Sequence, residues 1–298
     1  MNTLEPALSL SLKNILLATD FSQGSDMALK HARAIAARHS SHVHTIHVAA
    51  PDCYQLLNPE AFAITFSEAE SWKNPTDVLL GLMQGLPAQV PLHPGAVWEV
   101  VKEIVQRNEI DLLVLASHGR HGIPRLVLGS VAEEVFRNVS CPVLTVGPDV
   151  KPCNTNELKI RRVLLATHFE VNSIAPLYAK WLCNDFRAEL TVLHVADERQ
   201  QTDHQGSTNE LANQLRSVVP DVASLWRKPI FAQAYGLPSA KILDVARETH
   251  ADVIVLGARH PEPARINSHL PWATAARVIA EAPCPVLTVR QKDDYAGY

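Results

Sequence analysis

The stretch ASHGRHGIPRLVLGSVAEEV, residues 116–135, holds the residue types from which a phosphate site can be built. Gly119, Gly122 and Gly129 lie in a loop that leads into a helical pattern. Ser130 and Glu133 form S-x-x-E, a capping box that places the helix start at Ser130. The first turn of a helix leaves backbone N–H groups unpaired and carries the positive end of the helix dipole. Gly129, immediately before it, lets a ligand come close to the backbone. An anion such as a phosphate suits such a place. Arg120 and Arg125 can add charge-assisted hydrogen bonds to its oxygens. The same residues also suit a plain connection, in which the glycines only shape a turn and Ser130 only caps a helix.

The elements that must position this loop occur twice. NILLATDFS (14–22) returns as RVLLATHFE (162–170), and TIHVA (45–49) as VLHVA (192–196). DLLVLASHGR (111–120) returns as DVIVLGARHP (252–261), and CPVLTV (141–146) returns unchanged at 284–289. The copies are spaced by roughly 145 residues, one domain's worth and far from a solenoid period. The reading is therefore two domains, 1–150 and 158–298. A Pro-, Asn- and charge-rich linker, GPDVKPCNTNELK (147–159), lies between the repeated segments.

Within the first copy, short apolar runs alternate with helical patterns. Strands are expected at 15–19, 43–48, 90–93, 112–116 and 143–146. Helices are expected over 25–39, 67–85 (interrupted by Pro75), 97–108 and 130–138. Leu112 to Ala116 is apolar at every position, as a strand buried on both faces requires. Strands separated by helices run parallel, with right-handed crossovers. The fold class is α/β, with two tandem doubly wound, five-stranded parallel sheets of Rossmann-like type. Ligands of such sheets bind beyond the carboxyl ends of the strands, where strand order reverses. That singles out Asp20 to Ser22 and Ser117 to Ser130.

Composition narrows the function classes. The 298 residues are 47% hydrophobic and 19% charged, which excludes wholesale disorder. A formal net charge of −4 gives no support to a nucleic-acid binder. Five cysteines, an odd number without a C-x-x-C pair, argue against a disulfide framework or zinc ribbon and suit a reducing compartment. No apolar run reaches the roughly 18 residues of a membrane helix. Residues 1–14 carry no basic n-region or convincing cleavage site and read as a short leader into the first strand. The expected location is the cytoplasm, with no membrane or nucleic-acid partner.

These segments resemble the universal stress protein family in its tandem form. The family's nucleotide-binding pattern, G-x2-G-x9-G-[ST], lies between the fourth strand and the last helix. Here the matching residues are Ala116, Gly119, Gly129 and Ser130, with every spacing kept and only the first glycine changed. The family's first-strand Asp, followed two residues later by Ser, corresponds to Asp20 and Ser22. The resemblance implies that the first repeat binds an adenine nucleotide, ATP alone or with Mg. It implicates Asp20, Ser22, Ala116, Ser117, His118, Gly119, Arg120, Arg125, Gly129, Ser130 and Val131. Ala49 would lie just past the second strand, beside the adenine. The methyl group of Ala116 stands where the family keeps a hydrogen; it either crowds the ribose or is taken up by a small shift.

In the second copy, His168 and Glu170 replace Asp20 and Ser22, and the loop 257–278 retains only Gly257. Arg259 and Arg265 remain, but Pro271 removes an amide from the helix start, and Glu170 repels phosphate. This half is expected to keep the fold and not to bind ATP in the same way.

Other constellations carry less. His42 and His44 share a strand face, but His47 falls on the other, so no convergent metal set emerges. The resemblance gives His47 and His194 a structural role. Walker A and nucleophile-elbow motifs are absent, and no catalytic residue is assigned. Cys141 and Cys284 read as packed residues. The expected function is a nucleotide-binding regulator of the stress response, with at most slow ATP hydrolysis. The rival readings are an interaction or scaffold module of the same fold without nucleotide, and an enzyme activating a carboxylate with ATP. By the resemblance, the two domains form an internal pseudo-dimer through their last strands, whole chains form a homodimer, and a further protein partner is unspecified.

Overall fold

In the computed structural model, described residues are 10–20, 22–49, 88–89, 92–94, 97–117, 130–151, 158–169, 173–196, 213–214, 217–219, 221–257 and 269–290. The main division between its two compact units falls between Leu158 and Lys159.

The first unit is built on β1 (Asn14–Ala18), whose Ile15, Leu16 and Leu17 are wholly buried. A run of apolar residues forms a central strand because helices cover both of its faces. Next come α1 (Gln23–His39), β2 (His42–Ala49), β3 (Ala88–Gln89) and β4 (Leu92–Pro94). They are followed by α2 (Val97–Arg107), β5 (Leu112–Ala116), α3 (Ser130–Asn138) and β6 (Val143–Val146). The strand order is β3-β2-β1-β5-β6, all parallel, with β4 also pairing β2.

Helix α1 starts where Ser22 accepts a hydrogen bond from the Ser25 amide, and it stops at Ser40, a left-handed cap at φ 54°. Its inner face buries Ala28, Leu29, Ala32 and Ile35.

The second unit repeats the plan. It comprises β7 (Arg162–Thr167), α4 (Ala175–Phe186), β8 (Glu189–Ala196), β9 (Ile230–Tyr235), α5 (Pro238–Glu248), β10 (Val253–Gly257), α6 (His269–Glu281) and β11 (Val286–Val289). Its order is β11-β10-β7-β8-β9, again parallel.

The duplication reaches individual hydrogen bonds. Asp111 Oδ2 accepts from the amides of Lys13 and Asn14 at 2.7 and 2.9 Å. Asp252 Oδ2 accepts from the amides of Arg161 and Arg162 at the same two distances. Each aspartate also donates its own amide back, to Asn14 O or Arg162 O, at 2.9 Å. An aspartate before the fourth strand of the repeat thus clamps the amino end of the first.

Several expected bounds shift. The first strand runs 14–18 rather than 15–19. The second continues to Ala49, because Ala49 pairs with Pro94 of β4. Of the expected third strand at 90–93, residues 92–93 lie in β4; β3 and β4 pair with β2 in one register, Val43 beside Ala88 and His47 beside Leu92, and residues 90–91 lie outside the described residues. The expected leader, the helix over 67–85 and most of the linker lie outside the described residues.

Candidate functional site

At the carboxyl edge of the first unit, β1 has β2 on one side and β5 on the other, so strand order reverses there. Leu17 lies beside Val114, and Ala18 beside Ile46. Thr19 adds one more rung, its amide donating to Ile46 O at 2.9 Å. Asp20 is the next residue, at the mouth of the switch point.

The Asp20 carboxylate is held by the start of α1. Its Oδ1 accepts from the Ser25 hydroxyl at 2.6 Å and from the Ser22 amide at 3.0 Å. Ser25 Oγ in turn accepts from the Asp20 amide at 3.2 Å. Ser22 Oγ accepts from the Ser25 amide at 3.2 Å as the helix cap, with the two hydroxyl oxygens 3.4 Å apart. An Asx turn and an N-cap therefore share one set of groups. The carboxylate's charge shortens the bond to Ser25, which is 3% exposed. Ser25 is a residue that the sequence reading did not single out. Its signal is D-x-S-x-x-S, an aspartate followed by a cap and by a hydroxyl in the first helical turn.

Ala116 ends β5 opposite Val146 and is partly exposed. Ser117 donates its amide to Val146 O at 3.0 Å and is fully enclosed, so it extends the ladder by one residue. Ala49 ends β2 at the same carboxyl edge. Ser130 and Val131 open α3. His118, Gly119, Arg120, Arg125 and Gly129 lie outside the described residues. Asp20, Ala49, Ala116 and Ser117 thus fall at the carboxyl ends of three strands of one sheet, two of them flanking the switch point.

In the second unit His168 takes the place of Asp20. Thr167 Oγ1 accepts from the Phe169 amide at 3.2 Å, and Phe169 sits at φ 60°. The His194 ring lies 4.2 Å from that of Phe169 and edge-on to His168 at 6.3 Å, centre to centre. His194 Nδ1 is 3.0 Å from Thr167 O, which ties β8 to β7. Burial pulls the His194 pKa down; the Thr167 carbonyl opposes this and His168 adds to it. An open cleft of about 500 Å³, solvent included, is lined by Thr167, His168, Pro238, Gly257 and Thr274. A Cβ on Gly257 would stand 3.0 Å from Ser173 Oγ. The sequence reading, guided by lost motif residues, did not foresee this cleft.

Among the described residues no group of three or more His, Cys, Asp or Glu could hold a metal ion. The rings of His42 and His44 meet edge-on at 4.5 Å. Burial, and then His42, lower the pKa of His44. Burial pushes the thiols of Cys141, Cys183 and Cys284 up to about 12, so at neutral pH they pack as apolar groups.

The profile of the universal stress protein family matches residues 11–147 and 159–290. A universal stress protein of Methanocaldococcus jannaschii is 31% identical over 150 residues, covering 45% of this chain and 81% of that one. A universal stress protein A homologue of Coxiella burnetii is 30% identical over 145 residues, covering 45% of this chain and 95% of that one. Among solved structures, a universal stress protein from Archaeoglobus fulgidus superposes with a TM-score of 0.68 at 20% identity, over 96% of this chain and 99% of that one. At that identity the likeness speaks for the fold. The chain is thus similar to single relatives over one half at a time, and to a tandem architecture over nearly its whole length.

Proposed function

The chain belongs to the universal stress protein family, and on that premise we propose that its first repeat binds an adenine nucleotide and acts as a regulatory module of the stress response. The ligand is ATP, alone or with Mg, held between Asp20, Ala49, the end of β5 and the start of α3. The observation that carries this reading is the Asp20 carboxylate, fixed by Ser25 and Ser22 at the point where strand order reverses. A rigid acceptor there suits a ribose hydroxyl, and the amides at the start of α3 suit phosphate oxygens. Gly119, Arg120, Arg125 and Gly129 complete the site in this proposal. The second repeat, with His168 for Asp20, does not take ATP in the same way. Occupancy biases conformation or partner binding, and turnover of ATP is at most slow. The protein works in the cytoplasm in this reading; among the described residues no helix is long and apolar enough to cross a membrane.

Isothermal calorimetry with ATP, ADP and AMP, with and without Mg, tests this on the wild type and on Gly129→Glu. The wild type is expected to bind at one site per chain and the variant to lose binding. Absence of binding for all three nucleotides favours the interaction module without nucleotide. Equal binding by Gly129→Glu removes the site assignment.

A further inference from the structure

β9 is the outermost strand of the second unit, with β8 its only neighbour among the described residues. Its sequence, IFAQAY, contains no charge, no proline and no glycine, and all six residues are partly or fully exposed. In a parallel ladder every second residue of an edge strand turns its amide and carbonyl to the same neighbour. Gly236, just past the strand, donates its amide to Ala196 O of β8 at 3.0 Å. By that alternation Ala232 and Ala234 also turn to β8, and Phe231, Gln233 and Tyr235 turn their amides and carbonyls away from it. Such a row is a template for a further strand. Trp226, Ile230 and Leu237 are the large apolar residues exposed among those described, at 58%, 49% and 54%. They lie just before, at the start of and just after this one strand.

We propose that β9 takes up an extended segment of a partner protein as an added antiparallel strand, and that this segment is acidic at its carboxyl end. Main-chain hydrogen bonds to Phe231, Gln233 and Tyr235 hold it. Charge selects its chemistry and its direction. The segments that enter β8 and β9, residues 187–189 and 226–229, carry Arg187, Arg227 and Lys228 against the single acid Glu189. Arg227 lies 3.5 Å from Glu189, and the Arg187 guanidinium covers the Trp226 ring at 4.8 Å, so the cations gather at the amino end of β9. All three are exposed. β9 itself is uncharged, and no charge follows it until Lys241. Antiparallel pairing brings the carboxyl end of the added strand, with its acidic side chains, beside these cations. A second β9 brings no acid to them and is a poorer complement. Along the strand, Ile230 lies on one face, and Phe231 and Tyr235 lie on the other. β-branched side chains of the added segment make favourable cross-strand pairs with both. The inference is independent of nucleotide binding.

Fluorescence anisotropy of labelled octapeptides titrated with the full chain reads the binding. The first probe alternates threonine and valine over six residues and ends in aspartate and glutamate at its carboxyl end. It is expected to bind saturably, and more weakly as salt rises. A counterpart ending in two lysines is expected to bind at least about fivefold more weakly, and one with the two acids at its amino end about threefold more weakly. The double variant Arg227→Glu/Lys228→Glu is expected to prefer the lysine peptide. Gln233→Pro removes an outward amide and is expected to lose binding at an unchanged melting temperature, since an edge strand tolerates proline there. Without any substitution, the acidic peptide is expected to slow hydrogen exchange of the Phe231, Gln233 and Tyr235 amides and to leave those of Ala232 and Ala234, bonded to β8, little changed. No binding of the acidic peptide, equal binding of all three peptides, undiminished binding by Gln233→Pro, or exchange at β9 that ignores the peptide each overturns the proposal. So does a chain that dimerises in sedimentation and ceases to do so in Gln233→Pro, which assigns the edge to a second copy.

Discussion

The Ser25 hydroxyl donates to Asp20 Oδ1 at 2.6 Å, and this bond joins the first turn of α1 to the end of β1. The second unit keeps the serine, Ser173, but has His168 in place of the aspartate. One repeat thus holds an anionic acceptor at its mouth, and the other an imidazole.

Ser25→Ala removes that bond and the acceptor for the Asp20 amide. With the nucleotide reading, ATP affinity is expected to fall about three- to tenfold as the carboxylate loses its fixed orientation. Ser22→Ala, which removes the cap, is expected to cost about 1 kcal/mol of stability. Calorimetry and thermal melting separate the two effects. Undiminished affinity in Ser25→Ala, alongside lost affinity in Asp20→Ala, rules out a positioning role for Ser25.

The clamps at the amino ends make a matched pair of tests. Asp111→Ala frees the amides of Lys13 and Asn14, and Asp252→Ala those of Arg161 and Arg162. Each is expected to cost about 1 to 2 kcal/mol in urea unfolding. Asp→Asn at either position keeps an acceptor oxygen and is expected to cost less. A cost at one aspartate without the other would break the equivalence of the repeats.

Much of this frame is legible in the sequence. β5, α3 and β6 have the bounds that the sequence predicts, because an all-apolar run and an S-x-x-E start are strong local signals. The third strand is legible at 92–93, but its start at Ala88 is not, because Pro87 and Pro91 interrupt the alternation that marks a strand. At the site, Asp20 is readable as the polar residue that ends an apolar strand. Ser25 is not, since its role depends on a turn that folds the chain back five residues later. The second unit's cleft is missed for a different reason. Motif loss reports which ligand groups are gone, not whether the remaining residues, among them Thr167, His168, Pro238, Gly257 and Thr274, still line a cleft.

Histidine titration sets the acid side of stability. Burial lowers the pKa values of His31, His44 and His194 from the ordinary 6.5, with the Met27 carbonyl, 2.9 Å from His31 Nδ1, partly opposing it for His31. Each binds fewer protons folded than unfolded in the window between its lowered value and 6.5. Stability therefore rises with pH through that window, is complete above 6.5 and is lost as pH falls. The melting temperature is expected to drop between about pH 7.5 and pH 5.5, with a shallower slope in His31→Gln. Imidazole shifts in NMR that titrate at or above 6.5 for these three would contradict this.

Gly257 and Ser173 are expected to be coupled. Gly257→Ala brings a Cβ to 3.0 Å from Ser173 Oγ and is expected to cost about 1 kcal/mol. Adding Ser173→Ala removes the crowding oxygen, so the double variant is expected to recover most of that loss. A double-mutant cycle with no coupling energy would show that the serine rotates away freely.

The aspartate clamps lie at the end of each sheet opposite the mouth. Asp111 and Asp252 secure the frame where no ligand residue is proposed, so the rim can be rewritten without loosening what carries it. The two halves are in that sense interchangeable cassettes. A chimera that places the Asp20–Ser25 rim on the frame held by Asp252 is expected to fold, because the scaffold's anchorage and the ligand's grip reside in separate residues.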